Sequence, residues 1–324
     1  MSAAGRAIID TVPAAEGRPG VTYRHAGDRF LLVEYGDMSL DLTMNFRVFG
    51  LNQALKRKRI PGVVETVPAV RSILIHYDGR TLAPRRLVDE LVALEREVPA
   101  GDDLVIPSRR VTLPIAFVDR WTRGDIERYA KFVRKDAPNV IDGHNVEYIA
   151  RYNGLDGVEQ VIEVICATAW WNASIGFWPG LPFMFPLDPR HAIVVPKYNP
   201  TRPWTVEGGV GIGGPCVAIY PVTSPGGYQL FGRTVPIYDL QARNAAFRDN
   251  PILLRPGDRV TWRRVTEAEL EAAREALAAD RAEYDIVDEP FDVRAYLGFL
   301  RKVDAEATAF RQRQEAAQKV VPVP

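Results

Sequence analysis

From Lys197 to Thr234 the chain reads KYNPTRPWTVEGGVGIGGPCVAIYPVTSPGGYQLFGRT, with glycine and proline punctuating its apolar runs. A helix of useful length does not fit there, because proline removes a backbone donor and glycine loses the most conformational entropy on ordering. Short β-rich runs remain, among them GVGIGG, CVAIYPV and YQLFGRT. Comparable short runs extend from Gln160 to Tyr238, a pattern that predicts a closed or nearly closed antiparallel barrel.

Upstream the texture is different. YRHAGDRFLLVEYG reads as a strand pair or one long strand, and LDLTMNFRVFGLNQALKRK as a helix ending in basic residues that suit its dipole. GVVETVPAV and RSILIHYD read as a hairpin, APRRLVDELVALEREV as a second helix with Leu87, Leu91 and Leu94 in a stripe, and VTLPIAFV as a closing strand. The order β-α-β-β-α-β predicts a ferredoxin-like α+β domain. Downstream, a helix is expected over 122–135, a short one near the end of APNVIDGHNVEYIARYNG, and a last hairpin in LLRPGDRVTWRRV. Thr266 and Glu269 form a capping box, and 292–318 read as a long final helix. The expected divisions are an extension (1–22), the ferredoxin-like domain (23–110), the barrel (111–264) and a C-terminal helical extension (265–324).

Several functions are disfavoured. Lysine plus arginine equals aspartate plus glutamate at 41 each, so no net field draws nucleic acid or an anionic membrane. No run of about 18 apolar residues or signal-peptide pattern is present, and Cys166 and Cys216 make no disulfide framework; a cytoplasmic protein is expected. GVGIGG is followed by Pro215 and a β-rich run, whereas a dinucleotide loop needs a helix N-terminus there. His25, His76, His144 and His191 are widely separated, and no metal site is expected. No GxSxG elbow occurs.

What remains is a set of polar residues among glycines: Asp188, Arg190, His191, Lys197, Tyr198, Asn199, Arg202, Tyr220, Gln229 and Arg233. Glycines let a ligand approach backbone N–H groups, tyrosine and amides offer neutral hydrogen bonds, and lysine or arginine holds a carboxylate. The alternative is that these are rim and turn residues with ordinary structural bonds.

KYNPTRPWTVEGGVGIGG and AIYPVTSPGGYQLFGRT resemble the carboxyltransferase domain of urea carboxylase and urea amidolyase, in the half once named allophanate hydrolase subunit 1. YRHAGDRFLLVEYG, PGVVETVPAVRSILIHYD, LDPRH and FDVRAYLGFLRKVDAEATAFRQRQEAAQ extend the likeness from Tyr23 to Gln318. The 5-oxoprolinase B subunit and the Kip-type kinase inhibitor resemble it more distantly, through SPGG and GRT. Two segments depart from the urea enzymes: IGFWPG stands where they carry an acidic GDVYLG-type stretch, and it is similar to GFAPGFPY of the second branch. That branch has GGQ where this chain has Gly213-Gly214-Pro215.

The resemblance implies an α+β domain followed by a cyclophilin-like barrel, and carboxyl transfer from carboxybiotin to a nitrogen of a small urea-like or amide substrate. It implies biotin on a separate carrier protein, with ATP and bicarbonate used by a separate biotin carboxylase. A complementary half, similar to allophanate hydrolase subunit 2, is the third expected partner. Lys197, Asn199, Tyr220 and Gln229 are the expected catalytic residues, with Asp188, His191, Tyr198, Arg202, Gly213, Gly214 and Arg233 binding substrate. The competing expectations are a non-catalytic interaction subunit, as a Kip-type inhibitor or scaffold, and a 5-oxoprolinase-type subunit.

Overall fold

The structure, a computed structural model, describes residues 7–15, 17–99 and 101–324. The chain divides into two units, Met1–Pro107 with Pro290–Phe299, and Ser108–Glu289 with Leu300–Pro324.

The first unit holds β1 (Ile8–Val12), β2 (Val21–His25), β3 (Phe30–Tyr35), α1 (Leu42–Lys58), β4 (Val63–Pro68), β5 (Ser72–Tyr77) and α2 (Pro84–Glu97). Its antiparallel sheet runs β1-β2-β3-β5-β4. Alternation places Leu31, Val33, Ile73 and Ile75 in the core, and Leu87, Leu91 and Leu94 bury one stripe of α2. Asp41 caps α1 by accepting from the Thr43 N–H at 2.8 Å. β6 (Val105–Ile106) pairs with Phe291–Asp292.

The run 23–36 is a strand pair, one of its two expected readings. The departure from the ferredoxin-like order is that VTLPIAFV is absent from this sheet. β3-β5-β4 keep the neighbours that the pattern requires, but β2 occupies the edge of β3 that a fourth strand would have taken. A hairpin closes a shorter loop than a strand returning after α2, which lowers its entropic cost.

The second unit is built on β7 (Arg109–Phe117), β8 (Trp170–Ile175), β9 (Pro182–Pro186), β10 (Gly209–Gly213), β11 (Cys216–Ile219), β12 (Gln229–Thr234) and β13 (Arg259–Arg264). Hydrogen bonding runs β7-β12-β10-β11-β9-β8-β13 and back to β7, a closed barrel. Six junctions are antiparallel and β13–β7 is parallel. An odd number of strands cannot alternate direction all the way round, so one parallel seam is unavoidable. β14 (Asp285–Asp288) lies along the first half of β7. Trp170, Ile115, Val210, Ile212 and Phe231 are buried in its core.

Around these strands lie α3 (Arg120–Phe132), α4 (Val146–Tyr152), α5 (Val158–Cys166) and α6 (Glu267–Ala278), with the capping box in place; the last helix is α7 (Val293–Gln318). α5 corrects the β reading from Gln160. Val158, Val161, Ile162 and Ile165 fall at helical spacing, and Val161, Ile162 and Ile165 are buried. LLRPGDRVTWRRV is not a hairpin either, since only Arg259–Arg264 is a strand and its partners are β7 and β8. Among the described residues no helix is long and apolar enough to cross a membrane.

Candidate functional site

A cavity of about 400 Å³ opens beside β9 and β11. Four segments build it. Tyr220, which follows β11, and Ala218 within β11 supply one wall, while Leu181 and Phe183 supply an apolar one. The turn Pro225-Gly226-Gly227-Tyr228 covers a third side, and Lys197 and Thr201 complete the lining with Phe177.

Glycine is required in two places. A Cβ on Gly226 would overlap the Tyr220 hydroxyl, and one on Gly213 would overlap the Tyr228 ring and press on Lys197. The glycines let two strands and a turn close directly on aromatic side chains. The Lys197 ammonium stands 5.4 Å from the Tyr228 ring centroid, within range of a cation–π attraction.

Arg202 lies wholly buried beneath the turn. Its guanidinium donates to the Tyr228 carbonyl at 2.6 Å and to the Thr205 hydroxyl at 3.1 Å, and rests 4.5 Å from the Tyr198 ring centroid. Its backbone exchanges two hydrogen bonds with Gly226. Burial raises the Tyr220 pKa, while the nearby Arg202 charge opposes the shift. Burial likewise raises Tyr228, and pushes the Cys216 thiol up to about 11. At neutral pH the tyrosines and the thiol are therefore neutral, and Lys197 is the one charged side chain in the lining. The lining combines a cation, two tyrosines, a threonine and a large apolar wall, with no carboxylate; the Tyr220 hydroxyl accepts from the Tyr228 N–H at 3.5 Å.

The expected site residues separate into distinct places. Lys197 and Tyr220 meet at the cavity, and Gly213 lies behind the Tyr228 ring. Tyr198 is buried, exchanging hydrogen bonds with Asn145 at 2.7 and 3.0 Å, and Arg202 reaches the site only through the turn it holds. Gln229 is fully buried; its amide accepts from Asn139 and donates to the Pro196 carbonyl, both at 2.8 Å, so its bonding capacity is engaged inside the protein. Asn199 is exposed, and its backbone carbonyl accepts from the Arg134 guanidinium at 2.8 Å. Gly214 exchanges backbone bonds with Val195.

Asp188 caps a short helical turn and pairs with Arg190, which also meets Glu306. Burial opposes ionisation of Asp188, but the Arg190 bonds outweigh it and lower its pKa. His191 stands 3.7 Å from Asp188, and burial lowers its pKa. Arg233 belongs to another network: it bonds the Glu207 carbonyl at 2.9 Å, with Arg274 on the Glu207 carboxylate and Trp121 against its guanidinium. None of Asn199, Gln229, Asp188, His191 or Arg233 lines the cavity.

Sequence reasoning missed Phe177, Leu181, Phe183, Thr201 and Tyr228. Tyr228 had a readable signal: neighbours in an extended chain point to opposite sides, so Tyr228 faces the cavity where Gln229 faces inward. Phe177 lies in GFWPG, already conspicuous in sequence.

The closed barrel thus carries a glycine-lined cavity with one cation among hydroxyl-bearing and aromatic residues, the kind of concavity in which small molecules bind. Among the described residues no group of three or more His, Cys, Asp or Glu is arranged to hold a metal ion. Residues 21–248 match the family described as carboxyltransferase domain, subdomain C and D, and the chain belongs to that family. It is 37% identical over 297 residues to urea amidolyase of Saccharomyces cerevisiae, a match covering 91% of this chain and 16% of that protein. It is 27% identical over 261 residues to the 5-oxoprolinase B subunit of Bacillus subtilis, covering 77% of this chain and 95% of the relative. The crystal structure of Kluyveromyces lactis urea carboxylase superposes with a TM-score of 0.85 at 34% identity, covering 98% of this chain and 29% of that one. The chain thus spans a small part of the urea enzymes it matches.

Proposed function

We propose that this chain is a carboxyltransferase component of a biotin-dependent carboxylase, acting on a nitrogen of a small urea-like or amide compound. The observation that carries the reading is the meeting of Lys197, Tyr220 and the Gly226-Gly227 turn on one cavity in a carboxyltransferase-family barrel. Biotin, ATP and bicarbonate would be handled with a carrier protein, a biotin carboxylase and a complementary carboxyltransferase half.

The lining suits a ureido ring. Leu181 and Phe183 offer apolar contact, and Tyr220 and Thr201 offer hydrogen bonds to a carbonyl or N–H. Carboxybiotin supplies an activated carboxyl group when its carrier delivers it. Lys197 attracts the negatively charged carboxyl group without demanding one planar geometry. Tyr220, neutral and held from behind, donates its hydroxyl proton in a hydrogen bond to the oxygen where negative charge grows. Arg202 keeps the turn and the tyrosine in register.

The test is turnover of the assembled complex, read as substrate-dependent ATP hydrolysis over a panel of amides. Tyr220→Phe and Lys197→Ala are expected to slow it by about 10²–10³ each, with assembly preserved. Parent-rate turnover by both variants would return the chain to a scaffold or inhibitor role. A second reading, a 5-oxoprolinase-type subunit, draws on the match to 95% of the Bacillus subtilis relative and on GFWPG. 5-Oxoproline in the same panel separates the two.

A further inference from the structure

Phe177 combines three properties that ordinary packing does not bring together. Its φ is 65°, a left-handed conformation that bulky side chains rarely adopt. It is 71% exposed, so no core contact offsets that strain. It also borders the cavity beside Phe183 and Tyr228.

The conformation is held by a closed turn rather than left loose. The Gly176 N–H donates to the Leu181 carbonyl at 3.1 Å, the Trp178 N–H to the Gly176 carbonyl at 2.7 Å, and the Leu181 N–H to the Trp178 carbonyl at 3.0 Å. Trp178 stands edge-on to the Phe177 ring at 6.0 Å between centroids. A glycine at 177 would satisfy the same turn without strain. A strained, exposed aromatic beside a cavity is the pattern of a residue kept for binding rather than for stability.

We propose that Phe177 is a specificity-determining residue whose ring stacks on the flat face of a cyclic amide or cyclic ureido ligand in this cavity. The inference rests on the functional reading above and narrows its substrate class. A ring that carries methylene groups as well as a planar amide satisfies both the hydroxyls and the apolar walls formed by Leu181, Phe183, Ala218 and Pro225. Acyclic urea has no apolar atoms to cover those walls, which would then be left facing water.

The experiment measures binding of 2-imidazolidone and of urea to the full chain by NMR titration, alongside urea-free thermal unfolding. Parent protein is expected to bind 2-imidazolidone at least tenfold more tightly than urea. Phe177→Gly should raise the melting temperature by removing the strain while weakening 2-imidazolidone binding about tenfold. Phe177→Ala should weaken binding equally without the rise in melting temperature, and Phe177→Trp should retain affinity. A purely structural phenylalanine would lower stability on substitution and leave affinity unchanged, which would overturn the proposal. Loss confined to assembly with the partner half, with 2-imidazolidone affinity intact, would also overturn it and make the ring an interface contact. If Tyr220→Phe weakens binding but neither Phe177→Gly nor Phe177→Ala does, this inference fails alone; if none of the three matters, the cavity reading fails with it.

Discussion

Two polar regions of the barrel unit use similar residues to different ends. Around Glu207, the cations Arg233 and Arg274 meet a carboxylate and backbone carbonyls, so charge is met by charge. At the cavity the Lys197 ammonium stands over the Tyr228 ring, and none of the lining residues is a carboxylate. The first arrangement commits both cations to the fold, while Glu207 Oε1 is buried without a hydrogen-bond partner. The second leaves its cation without a carboxylate among the lining residues. Glu207 and Arg274 also border an open cavity of about 590 Å³; what separates the two regions is the carboxylate that pairs the cations in one and is missing from the lining of the other.

The sharpest way to break the comparison is to exchange the effects of the two regions. Lys197→Met should cost about 10²–10³ in turnover of the assembled complex and leave the unfolding midpoint of the chain unchanged. Arg233→Met should do the reverse, lowering stability by about 1–3 kcal/mol because Glu207 loses a partner, with kcat close to parent. Equal kinetic losses would dissolve the distinction.

A smaller effect is expected where the backbone supports the cavity. Gly226→Ala places a methyl group on the Tyr220 hydroxyl, so either the ring or the turn must move. Overpacking of this kind costs about 1–3 kcal/mol. Ligand affinity should fall with it, and urea denaturation with NMR titration reads both. An unperturbed affinity would mean that the turn does not form the binding surface.

Gln229→Ala sharpens the same contrast from inside. Removing its amide leaves Asn139 and the Pro196 carbonyl without their partner, a loss of about 1–3 kcal/mol in chemical denaturation. Once folded, the variant should turn over near the parent rate. A rate loss matching that of Tyr220→Phe would restore Gln229 to the reaction.

The weakest expected effect depends on pH. His144 and His191 both have pKa values lowered first by burial. The His144 Nδ1 accepts from the Val146 N–H at 3.1 Å, which requires the neutral ring. Their folded pKa values lie below the ordinary value of about 6.5, so the unfolded chain binds protons more readily as pH falls. The stability contribution is complete above about pH 6.5 and declines as pH drops through that value toward the folded pKa. Urea midpoints measured across this range should fall, and His144→Asn should reduce the slope. An identical slope would remove His144 from the account.

Much of the barrel could be read from the chain because glycine and proline limit the local choices between Lys197 and Thr234. GVGIGG became β10, CVAI became β11 and QLFGRT became β12. α5 was less legible: EQVIEVIC is apolar enough to pass for a strand, and only its 3.6-residue periodicity argues otherwise. VTLPIAFV became β7 of the barrel, although its pattern fits either sheet. Of the polar cluster, Lys197 and Tyr220 reached the cavity, while Gln229 and Asn199 did not, since a sequence shows which groups exist but not which are already bonded.

By itself the sequence determined short strands around glycine turns, a capped α6, the leucine stripe of α2 and a set of candidate polar groups. These follow from local sterics, capping and periodicity, which act over a few residues. Tertiary structure alone decided which edge β7 would join, where the parallel seam would fall, and which polar atoms would be left for a ligand. Those outcomes depend on partners distant in sequence, such as Asn139 for Gln229 and Gly226 for Tyr220. Hydrogen-bond satisfaction and close packing are properties of the assembled neighbourhood, not of the residue.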